Sequence, residues 1–137
     1  MLARVSPSRR MVLWLPPLLY AALIFHFSSQ SDPLPTIRVA VWDKLLHAAE
    51  FALLALLLCR ALRGEGRTWG AALALALLLT SGYGATDEWH QGYVPRRDST
   101  VYDWEADTVG AAAGILLARL FLPLGDDLKR RPSLGAS

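Results

Sequence analysis

Cysteine is all but missing from this chain: Cys59 is the only one in 137 residues. An internal disulfide and a thiolate metal cluster are therefore excluded, and Cys59, set inside an apolar run, reads as a small apolar filler. Charge is sparse as well. Only 19% of residues are charged, and no basic patch is interleaved with aromatics, so the net charge of +2 does not signal a nucleic-acid partner. A two-histidine zinc motif of the H-E-x-x-H kind is absent, and no internal repeat is present.

What the chain does contain is apolar sequence, 53% of it, gathered in long blocks. These run from about Met11 to Phe27, Leu45 to Leu62, Trp69 to Thr86 and Trp104 to Leu122. Each approaches the roughly 20 residues that a helix rising about 1.5 Å per residue needs to cross a hydrocarbon core about 30 Å thick. The expected fold is all-α: a polytopic bundle of four transmembrane helices in one domain, residues 1–124, followed by a disordered cytoplasmic tail, residues 125–137. Arg4, Arg9 and Arg10 before the first block resemble the start of a signal peptide, but no small-x-small cleavage site follows and further blocks make the chain polytopic. Pro16 and Pro17 are expected to kink or locally open the first helix. Short connections containing Pro33 and Pro35, Gly64 and Gly66, and Pro95 favour antiparallel neighbours.

Charge placement orients the bundle. The N-terminus, second connection and tail collect ten basic residues and three acidic ones, whereas the opposite side has four basic and nine acidic. By the positive-inside rule both termini are cytoplasmic. Trp14, Trp42, Trp69, Trp89 and Trp104 fall near block ends, as interfacial anchors do, and His26 also reads as interfacial.

Helical spacing then groups the polar residues. Asp43, His47 and Glu50 share a face at the outer start of the second helix. Asp87 and Gln91, with Glu88 three before Gln91, lie at the outer end of the third. Asp103 and Asp107 open a stripe on the fourth that continues through Gly110 and Gly114, a GxxxG spacing suited to close packing inside the bundle. Asp32 and Glu105 are expected to face water. Ionisable groups near apolar sequence are costly unless paired, so the stripes should meet one another, with Arg97 and Arg96 available as basic partners from the third connection.

Several functions fit such a pocket. Its candidate residues are His47, Glu50, Asp87, Glu88, Gln91, Arg97, Asp103 and Asp107. The leading reading is a non-enzymatic protein binding a lipid headgroup or a lipid-linked envelope precursor at the outer leaflet. The alternatives are a metal-assisted hydrolase or transferase acting on an envelope lipid, a proton-coupled transporter subunit completed by a homo-oligomer, and a purely structural network. No cofactor is named by the residues, and a metal is signalled only weakly.

The chain resembles the VanZ-like family of small bacterial membrane proteins. The likeness rests on Asp43-Lys44-Leu45-Leu46-His47 with Glu50-Phe51, on Asp87-Glu88-x-x-Gln91, on Pro95 and Arg97, and on Asp103 followed by Asp107, Gly110 and Gly114, spanning residues 43–114. The resemblance implies a multi-pass plasma-membrane protein of the cell envelope, in a family named from a glycopeptide-resistance cluster and linked to teicoplanin-type resistance. Two positions depart from the expected pattern. Asp107 stands where many members have Asn, adding a charge, and Arg96 stands where Gly is expected, altering the loop.

Overall fold

The computed structural model describes residues 5–31, 40–97 and 99–122. The tail 125–137, together with Asp32 and Asp98, lies outside the described residues. Among the described residues the secondary structure is all helical: α1 (Pro7–Ser28), α2 (Ala40–Gly64), α3 (Trp69–Gln91) and α4 (Val101–Phe121). Each expected block is a helix, and α2, α3 and α4 extend beyond their blocks to take in residues 40–44, 87–91 and 101–103.

Local chemistry accounts for the helix ends. Ser6, Thr68 and Thr100 cap α1, α3 and α4, each accepting a backbone N–H three residues on, and Pro7 occupies the first helical turn, where its missing donor costs nothing. The α2–α3 turn needs a left-handed residue, and Gly66 supplies it at φ 86°. α1 is continuous through Pro16 and Pro17, although their rings remove the donors that would otherwise reach the Val12 and Leu13 carbonyls.

Three helices, Pro7–Ser28, Trp42–Gly64 and Trp69–Gln91, are long and apolar enough to cross a membrane. α4 is less clearly apolar because it carries Asp103, Glu105, Asp107 and Arg119. Between the exposed Glu105 and Arg119 its outward face is nonetheless apolar. Val109, Leu116, Leu120 and Phe121 are exposed while Asp103 and Asp107 are buried, an inversion of the pattern in a water-soluble helix. α1 likewise exposes Leu15, Leu18 and Leu19.

α2 is the central helix, packed most extensively on α4 and also against α1 and α3. Its closest approach uses glycine. A Cβ on Gly110 would overlap the Ala48 carbonyl, and one on Gly114 the Ala52 carbonyl, so only hydrogen at these positions lets the two backbones touch. Along the bundle, one half is apolar, with Ala55, Cys59, Leu62, Ala72, Ala76, Ala111, Ile115 and Ala118 forming a small-residue core. Beyond Phe51 and Leu54, which pack with Ile24, the interior turns polar.

The apolar end is tied by Glu65, whose Oε1 pairs with Arg10 Nε at 3.1 Å and accepts from Trp14 Nε1 at 3.2 Å. Trp69 lies between the Arg63 and Arg119 guanidinium groups, at 4.6 and 4.8 Å from its ring centre.

Candidate functional site

Close contact between α2 and α4 brings His47 and Asp107 together. Both lie one short step from the Ala48–Gly110 crossing, and His47 Nδ1 is 2.9 Å from Asp107 Oδ1, with the aspartate fully buried. One turn nearer the bundle end, Lys44 Nζ donates to Asp103 Oδ1 at 2.6 Å. Thr100 Oγ1 donates to Asp103 Oδ2 at 2.6 Å while accepting the Asp103 backbone N–H, so the cap of α4 also fixes this carboxylate.

α3 contributes a stripe at four-residue spacing, Thr80, Gly84, Asp87 with Glu88, and Gln91, all buried. Gln91 Nε2 donates to Asp87 Oδ2 at 2.8 Å. Glu88 Oε2 accepts the Thr100 backbone N–H at 3.0 Å, and Ser99 Oγ donates to the Glu88 carbonyl at 2.6 Å, which pins the third connection onto α3. Gly84 sits against Asp107 Oδ2, since a Cβ there would come within 2.9 Å of that oxygen.

Three carboxylate oxygens in this region are buried with no hydrogen-bond partner among the described residues: Asp87 Oδ1, Glu88 Oε1 and Asp107 Oδ2. A buried unpaired acceptor costs free energy comparable to a lost hydrogen bond, so such atoms mark positions where a donor or cation would be stabilising. His47, Glu88 and Asp107 each offer a ligand atom, and these atoms all lie within 4.8 Å of one another. Asp43, His47 and Asp103 form a second such trio, with Asp43 exposed.

Of the expected pocket residues, the structure draws His47, Glu88, Asp103 and Asp107 together, with Asp87 and Gln91 paired on the neighbouring turn of α3. Glu50 is half-buried one turn further along α2, outside both trios. Arg97 also has a role at the end of α1. Its Nε donates to the Gln30 carbonyl at 3.2 Å and its Nη2 to the Phe27 carbonyl at 3.1 Å, so it closes the C-terminus of α1. Arg96 is exposed and in the left-handed region at φ 66°, the conformation that favours glycine.

Lys44 joins the pocket without having been expected there, although its spacing of three from His47 puts the two on one face. His90 is a second addition. It stacks on Phe25 with centroids 4.6 Å apart and its Nε2 is 3.1 Å from Ser29 Oγ. Beside it, Phe25, Tyr83, Thr86, Asp87, Trp89 and His90 line a half-open, mostly apolar cleft of about 330 Å³ between α1 and α3.

Fold and site together define a helical membrane protein with an apolar exterior and a buried acidic cluster at one end. The chain belongs to the VanZ/LLP1 family, whose sequence model matches residues 5–122. No curated protein and no solved structure matches it.

Proposed function

We propose that this protein is a four-span protein of the bacterial plasma membrane, with both termini cytoplasmic, that binds the headgroup of an envelope lipid or lipid-linked precursor at its extracytoplasmic end. The carrying observation is the apolar cleft lined by Phe25, Tyr83 and Trp89 with the polar side chains of Thr86, Asp87 and His90 beside them. Phe25, Tyr83 and Trp89 offer apolar surface to an acyl or polyprenyl chain, and Asp87, which also lines the cleft, is the carboxylate nearest to it for a hydroxyl or ammonium. A donor-rich head on an apolar tail is the ligand class that matches both.

Native mass spectrometry of the purified protein tests this reading. Wild type is expected to retain an envelope lipid, and Asp87→Ala to retain about tenfold less, the worth of one hydrogen bond to a charged acceptor. Identical lipid profiles in the two proteins would remove the proposal's support. A part in teicoplanin-type resistance, implied by the resemblance, is a separate question answered by comparing glycopeptide susceptibility with and without the gene.

A further inference from the structure

We propose that His47, Glu88 and Asp107 form a binding site for a divalent first-row transition-metal cation, Zn²⁺ or Mn²⁺ in donor preference, held between α2, α3 and α4. Each residue comes from a different helix, each is buried, and their ligand atoms lie within 4.8 Å of one another. Donors bound to zinc at about 2.0–2.2 Å sit about 3.4 Å apart, so closing the site on an ion draws the ligand atoms together by at most about 1.4 Å.

Proximity is joined here by unmet bonding capacity. Glu88 is 6% exposed and Asp107 0%, yet Glu88 Oε1 and Asp107 Oδ2 have no hydrogen-bond partner among the described residues. Each residue's other oxygen is engaged, by the Thr100 N–H and by His47. The orphan oxygens are therefore acceptors held by the fold in a region where water-like solvation is scarce, and each is stabilised by a cation bound beside its carboxylate.

Charge and donor type narrow the ion. Two carboxylates with a neutral imidazole carry two negative charges, which a divalent cation neutralises. One nitrogen and two oxygen donors suit Zn²⁺ or Mn²⁺ better than Ca²⁺, which takes six or more oxygens. Three protein ligands leave a coordination position open for water or a ligand atom. The second trio, Asp43, His47 and Asp103, is the poorer site: Lys44 already neutralises Asp103 at 2.6 Å, and Asp43 is exposed. Metal binding at this trio does not depend on lipid binding at Asp87 and is read without any lipid.

The test is metal content and affinity of the full chain, purified in detergent through a tag without histidine. Zn²⁺ is titrated into chelator-stripped protein in competition with a chromophoric chelator, and Mn²⁺ is followed by paramagnetic resonance. Wild type is expected to bind one equivalent of one of these ions. Glu88→Gln and Asp107→Asn, near-isosteric changes that each remove one anionic ligand, are expected to weaken binding at least about tenfold, while Asp43→Asn binds as wild type. Should Asp107→Asn fail to fold, Glu88→Gln alone decides between the outcomes. No stoichiometric binding by wild type, equal affinity in Glu88→Gln, or loss confined to Asp43→Asn would each overturn the assignment.

Discussion

His47 Nδ1 meets Asp107 Oδ1 at 2.9 Å beside the glycine-lined crossing where α2 and α4 touch backbone to backbone. Because Asp107 is fully buried, removing its carboxylate leaves His47 without that partner. Asp107→Ala is expected to destabilise the fold by about 2–4 kcal/mol, and Asp107→Asn by less, since the amide can still hydrogen-bond the imidazole. Thermal unfolding in detergent, with the His47→Ala single and double variants completing a cycle, measures the pair. Additive effects would show that the two residues are not coupled.

Gly110→Ala and Gly114→Ala are expected to disrupt the α2–α4 contact, because the added methyl meets the Ala48 and Ala52 backbones and no flexible side chain can yield. A cost of about 1–3 kcal/mol or more follows from overpacking. Gly82 has nothing within 4 Å of an added Cβ, so Gly82→Ala should leave stability unchanged or slightly raised. Equal unfolding temperatures for Gly110→Ala and Gly82→Ala would contradict the packing account.

Arg96 has a backbone φ of 66°, which a side chain bearing Cβ adopts at a cost of about 1–2 kcal/mol. Replacing it with glycine removes that strain and adds some unfolded-state entropy, leaving a net stabilisation of about 0.5–1 kcal/mol. Arg96→Gly should therefore unfold at a higher temperature than wild type and Arg96→Ala at about the same one.

Arg97 joins the third connection to the end of α1 through the Gln30 and Phe27 carbonyls. Arg97→Ala should loosen α1 selectively, seen as faster hydrogen exchange at the end of α1 with little change in α4. Arg97→Lys should recover only part of the protection, since an ammonium lacks the planar fork. Uniform exchange changes along the whole chain would argue against this local role.

The fold is largely legible in the sequence because a bilayer makes uninterrupted apolar length the main signal, and four blocks correspond to four helices. α4 is the hardest to read, its composition being pulled polar by Asp103 and Asp107, and only their spacing with Gly110 and Gly114 marks them as one inward stripe. For the site, periodicity identifies residues on one face of a helix but not their partners on another. The Lys44–Asp103 and His47–Asp107 pairs follow from the height at which α2 crosses α4, and that height is set by the Ala48 and Ala52 carbonyls seated on glycines. Arg97, expected as a partner of the carboxylates, also donates to α1 carbonyls. Such a destination has no side-chain signature, since any helix end offers the same acceptors.

The central claim is that the polar end of the bundle faces outward from the cytoplasm, where envelope lipids can reach it. Single cysteines introduced into a Cys59→Ala background and probed with a membrane-impermeant maleimide on intact cells test it most directly. Tyr93 is exposed at the polar end and Ser8 at the opposite end. Tyr93→Cys is expected to label on intact cells and Ser8→Cys only after permeabilisation. The reverse pattern would put the acidic cluster in the cytoplasm and contradict the account.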